Sequence, residues 1–158
     1  MDYDVEIRKL SPAFYAAYPN SAYPEILEKE GRPYTCLLID THEDYLICVP
    51  FRSNMSHREG FRFKNTRRSA RTRSGLDYKK IVLIRDSAYI DSGNPVVDSD
   101  EYRTVITNIA KIASKAAAYV EKYRNHVSGI SVLSLREFQR KYGTSTLPYF
   151  HDILGITP

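Results

Sequence analysis

Six residues of Phe51-Arg52-Ser53-Asn54-Met55-Ser56-His57-Arg58 carry side chains that can move a proton or hold an anion. Histidine as a residue type titrates near neutrality, so His57 is the candidate to take or give a proton. Arg52 offers a fork that matches two phosphate oxygens. Ser53 can donate to a phosphate without adding charge. RNA cleavage without a metal asks for this chemistry. RNA brings its own nucleophile, the 2′-hydroxyl. A protein must then take that proton, protonate the leaving 5′-oxygen and hold the charge on phosphorus. Arg52, Ser53 and His57 are the candidate catalytic set, with Asn54, Ser56 and Arg58 as candidate RNA contacts. Exposed loops also collect Ser, Asn, Arg and His for solubility alone, so the pattern admits a bland reading too.

The charge around these residues narrows the choice. From Arg52 to Lys80 there are ten Lys/Arg and two acids, Glu59 and Asp77, a net of +8. The rest of the chain has 13 basic and 17 acidic residues, a net of −4, within a total of +4. A basic block in an otherwise acidic chain implies a local polyanion site. Arg62, Lys64, Arg67, Arg68, Arg71, Arg73, Lys79 and Lys80 are its candidate phosphate contacts, and Arg32 is counted with them. The alternative is a solvated charged loop. Arginine-rich, hydroxyl-bearing loops suit single-stranded or folded RNA. Tyr15 and Tyr18 can stack on bases or pack on a sheet. His42 and His126 read as solvated, and His151 as packed or surface-exposed. The acid-rich stretch Asp98, Asp100 and Glu101 reads as a helix start complementing the dipole.

These residues need elements to position them. Val5–Leu10 alternates like a half-buried strand. Ser11 and Pro12 open a short helix that Pro19 stops. Tyr34–Ile39 and Tyr45–Val49 read as a hairpin joined by Asp40–Asp44. Pro50 is expected to end the second strand, leaving Phe51–His57 as an exposed loop on a rigid strand. Phe61–Phe63, Lys79–Ile84 and Ser87–Ile90 have strand character, and Thr66–Ser74 reads as a loop too polar to bury. Asp98 and Glu101 form a capping box for one long helix over about 98–124, with Val105, Ile109, Ile112, Ala116 and Val120 on its apolar face. Ser134 and Glu137 open another helix that Gly143 ends, and a last one runs from about Thr146 to Leu154. Strands first and helices later imply a single α+β domain over 1–158 with an antiparallel sheet.

Several classes drop out. No apolar run nears the roughly 18 residues of a membrane span, and Met1–Asp4 is acidic where a signal peptide would be basic and apolar. A cytoplasmic protein is expected. Cys36 and Cys48 sit in strand-like apolar runs and read as buried thiols. No metal-ligand spacing is visible, so neither metal nor cofactor is expected.

Arg32-Pro33-Tyr34 through Tyr45-Leu46-Ile47-Cys48-Val49-Pro50-Phe51-Arg52-Ser53 resembles the core hairpin and catalytic loop of type III toxin–antitoxin endoribonucleases, the ToxN/AbiQ-like toxins. The likeness continues at Gly75-Leu76-Asp77-Tyr78-Lys79-Lys80 and at Lys111-Ile112-Ala113-Ser114-Lys115. The tail Ser145-Thr146-Leu147-Pro148-Tyr149-Phe150-His151 is similar to the CptN/TenpN branch. The resemblance implies a compact, highly twisted antiparallel sheet with flanking helices. It implies a metal-independent, sequence-specific endoribonuclease leaving a 2′,3′-cyclic phosphate on its mRNA substrate. It implies as partner a small, repetitive pseudoknot RNA antitoxin, processed and then bound in a closed protein–RNA assembly. Ser53 matches the family's active-site serine. The family lysine in a Thr-Ser-x-Lys pattern is replaced by Met55, leaving Arg52 or His57 for its role. Tyr15 or Phe14 falls near a family tyrosine. The alternatives are a non-catalytic RNA-binding module using the same loop, and a domain that meets an acidic protein through it.

Overall fold

The computed structural model describes residues 4–28 and 34–157; Arg32, among the expected RNA contacts, lies outside them. The chain is α+β, and its described residues form a six-stranded antiparallel sheet and four α-helices. The strands are β1 (Asp4–Lys9), β2 (Thr35–Asp40), β3 (Leu46–Arg52), β4 (Gly60–Arg62), β5 (Gly75–Asp77) and β6 (Val82–Ile84). The helices are α1 (Pro12–Ala17), α2 (Ser99–Thr107), α3 (Ile109–Val127) and α4 (Leu135–Tyr142).

The β2–β3 hairpin is the spine. Its register sets Asp40 opposite Leu46 and Cys36 opposite Pro50. Asp40 accepts the His42 backbone N–H (2.8 Å), and His42 sits at φ +66°, which turns the loop. β3 does not stop at Pro50 but runs on to Arg52. Its far edge is shared by two partners: β6 covers Leu46–Cys48 and β5 covers Phe51–Arg52. Pro50 falls in the gap between them, where no partner on that edge asks for the N–H it lacks. β4 completes the order β1-β2-β3-β5-β4.

One expected helix is two. Asn108 leaves helical geometry (φ −110°, ψ 19°) and its amide donates to Thr104 O (2.8 Å), competing with the backbone there. The apolar face holds across the break: Val105, Ile112, Ala116 and Val120 are buried. The Asp98 side chain does not cap α2: the Glu101 backbone N–H donates to Asp100 Oδ1 (2.8 Å), and the Glu101 side chain turns inward to Arg68. Ser134 does cap α4, accepting from Glu137 N (3.2 Å). Ser11 precedes α1 without capping it, and its hydroxyl donates to Ala88 O (2.6 Å). Lys79–Ile84 splits into a 3₁₀ turn (Tyr78–Lys80) and β6, and Ser87–Tyr89 is another 3₁₀ turn. The expected last helix is 3₁₀ at Leu147–Phe150 and then turns. Cys36 and Cys48 are buried and free; burial pushes the Cys36 thiol up to about 12. Among the described residues no helix is long and apolar enough to cross a membrane.

Candidate functional site

The residues following β3 go to different places. Ser53, Asn54 and Ser56 are exposed, but Met55 is 1% exposed and plugs the small β4–β5 unit. Met55 fits because Gly60 and Gly75 flank it: a Cβ on Gly60 would stand 2.6 Å from the Met55 sulfur, and one on Gly75 would collide with the Phe61 carbonyl. Phe51–His57 is therefore not one exposed loop. An ammonium in place of the Met55 thioether would be buried without a partner.

Ser53 faces a cleft of about 420 Å³ walled by Tyr34, Phe51, Val96, Val97 and Arg68, with Lys9, Asp98 and Glu101 adding charge. Arg68 donates from Nη1 to Ser53 Oγ (2.7 Å). The rest of its fork grips Glu101, from Nε at 2.8 Å and from Nη2 at 3.1 Å. Glu101 is 2% exposed, so the two-point grip fixes where the guanidinium points. The turn before it is fixed as well. Thr66 and Ser69 exchange three hydrogen bonds, and Asn65 is left-handed at φ +60°. Thr66–Ser74, expected to be too polar to bury, thus hides Thr66 and Ser74.

Arg52 and His57 meet elsewhere, on Asp77. Arg52 Nη1 lies 2.7 Å from Asp77 Oδ2, and His57 Nε2 lies 2.9 Å from Oδ1. The His57 N–H points off the line to the carboxylate, making this a close polar contact more than an aligned hydrogen bond. His57 Nδ1 accepts the Glu59 backbone N–H (3.0 Å), which leaves the proton of the neutral ring on Nε2. Asp77 also accepts the Lys79 backbone N–H (2.9 Å). Burial pushes the Asp77 carboxyl up, but His57 and Arg52 outweigh it and hold it below the ordinary carboxylate range. Both His57 nitrogens thus face protein groups, and neither His57 nor Arg52 lines the Ser53 cleft.

The expected clamp divides likewise. Arg58, Lys64, Arg67, Arg71 and Arg73 are exposed. Arg71 and Arg73 share a shallow recess with Asn54. Arg62 Nη2 donates to Met55 O and His57 O, both at 2.9 Å, and ties the loop down. Lys79 is half-buried; desolvation lowers its pKa against the pull of Glu59 and Asp77. Lys80 is a correction to the clamp. It is 9% exposed, and its ammonium is held by Glu25 (2.6 Å) and Thr144 O (2.8 Å), because the C-terminal segment packs over it. Tyr15 and Tyr18 pack in an aromatic cluster around Phe14, with the Tyr15 hydroxyl accepting the Tyr34 N–H (3.3 Å). His126 is not solvated: it stacks on Phe138 and accepts the Leu133 N–H (2.9 Å). His151 pairs with the Tyr123 hydroxyl.

Sequence reasoning missed Glu101 and Asp77 as the anchors of the two arginines. A carboxylate at a helix start or a strand end carries no local sign of its partner. Among the described residues no three His, Cys, Asp or Glu side chains converge as metal ligands. Compared with protein-family models, with curated proteins and with solved structures, the chain matches none.

Proposed function

We propose that this chain is a toxin of the type III toxin–antitoxin kind, an endoribonuclease that works without a metal and leaves a 2′,3′-cyclic phosphate. One observation carries the reading: Ser53 lies in a cleft with an arginine aimed at it and held from behind by a buried carboxylate. A phosphate at Ser53 would meet a hydroxyl and a fixed guanidinium, which stabilise charge as the 2′-oxygen bonds to phosphorus and the P–O5′ bond breaks, the 2′-hydroxyl proton passing through solvent to the departing 5′-oxygen. Arg68 takes the part that the resemblance gives to a lysine. Tyr34, half-buried, lines the same cleft and offers aromatic surface to a base. The partner is a small folded RNA antitoxin, which occupies the site after being processed and closes a protein–RNA assembly.

A second reading has its own support. His57, the expected proton carrier, is engaged by Asp77 and Glu59 outside the cleft. A cleft that holds phosphate without a free proton carrier describes an RNA-binding module. Purified protein and RNA separate the two. The nuclease reading expects fragments ending in cyclic phosphate, and Ser53→Ala or Arg68→Ala lowers the cleavage rate by about 10²–10³, as for loss of one oxyanion donor. Intact RNA with the wild-type chain, under conditions where it binds, removes the nuclease and leaves the module.

A further inference from the structure

A second basic groove, of about 440 Å³, lies apart from the Ser53 cleft and shares no residue with it. One wall is the edge strand β4 and its continuation, with Phe61, Arg62 and Lys64. The other is the α2–α3 junction, with Asn108, Lys111 and Lys115. We propose that this groove is a separate binding site for the phosphate backbone of single-stranded RNA, with Lys111 and Lys115 as its principal contacts. The inference rests on the RNA reading above and adds a site to it.

Among the described residues four cations line this space and no carboxylate does. Arg62, Lys64, Lys111 and Lys115 form no ion pair among the described residues, whereas Arg52, Arg68 and Lys80 each have one. Unpaired like charges around a concavity concentrate positive potential there. Lys111 and Lys115 are exposed and one helical turn apart, about 5–6 Å at Cβ, so they can meet successive phosphates. Arg62 is already fixed through Nη2 by two backbone carbonyls, and its Nε and Nη1 have no partner among the described residues. Phe61 is half-buried in the wall, where a base can stack on it. The break at Asn108 sets this end of α3 against β4: Asn108 lines the groove, and behind it the Tyr78 hydroxyl donates to Ile112 O (3.3 Å).

The test uses the full chain and a short fluorescein-labelled oligouridylate, read by anisotropy over a salt series. Lys111→Gln with Lys115→Gln keeps two good helix formers at exposed positions; circular dichroism verifies the fold. The expected result is affinity weaker by about tenfold and a salt slope smaller by about 1.4, the loss of two phosphate contacts on a single strand. A double variant that binds like the wild type overturns the groove and leaves the RNA reading standing. A wild-type chain that binds no RNA overturns both. Displacement of the RNA by polyglutamate at equal charge makes the groove a site for an acidic protein, and overturns its assignment to RNA.

Discussion

Asp77 concentrates more polar contacts than its neighbours: Arg52, His57 and the Lys79 amide all converge on its two oxygens. It is fully buried, so its charge is tolerable only with these partners. Its folded pKa is lowered, so the stabilisation is present above the unfolded value of about 3.9 and is lost as pH falls through the folded one. Thermal unfolding followed on acidification should show the wild type losing stability below about pH 4, and Asp77→Asn with a flatter profile there. Asp77→Ala should cost about 3 kcal/mol in denaturant unfolding, the low end for a broken buried pair because Arg52 reaches solvent. An unchanged acid limb in Asp77→Asn would contradict this account. His57→Ala belongs to the same scale: its effect should appear in stability through Asp77, whereas Ser53→Ala should act on RNA alone.

The elements show why the loop after β3 is rigid. β4 and β5 are three residues each, too short to hold shape alone. They are pinned by Met55 between Gly60 and Gly75, by Arg62 on two loop carbonyls, and by Met55 N–H on Arg73 O (2.8 Å). Gly75 is needed for the close approach of the Phe61 carbonyl, not for an unusual φ. Gly75→Ala should therefore cost about 1–3 kcal/mol by overpacking and loosen the turn that presents Arg68. Urea unfolding checks this, and a midpoint unchanged from the wild type would contradict it. Glu59 ties the same unit to α4 through Lys141 (2.9 Å). The apolar periodicity of α2 and α3 was legible in the sequence, as was the Ser134 cap. The break at Asn108 was not, because asparagine is tolerated within helices and becomes a break only where its amide finds a carbonyl.

Across the whole molecule, the basic block is not one surface. Lys80 is satisfied inside, Arg52 and Arg68 are paired with buried carboxylates, and Arg71 and Arg73 stay exposed. Salt-dependent RNA binding should reflect that division. Arg71→Gln with Arg73→Gln should reduce the slope of log affinity against log salt by about 1.4. Lys80→Gln should leave the slope unchanged and lower stability instead, since Glu25 loses its partner. A Lys80 variant that alters the slope while folding normally would show that the charge does reach the ligand.

The sequence by itself determined the α+β class, the β2–β3 hairpin, the apolar faces of the helices and the excess of positive charge between Arg52 and Lys80. These follow from periodicity, turn chemistry and composition, which are local properties. Only the tertiary structure decided that Ser53 keeps company with Arg68 and Glu101, while Arg52 and His57 turn to Asp77. Pairing of charges is long-range: Arg68 and Glu101 are 33 positions apart, and Arg52 and Asp77 are 25. Burial of a carboxylate selects whichever cation the fold brings within reach, and no spacing along the chain announces it.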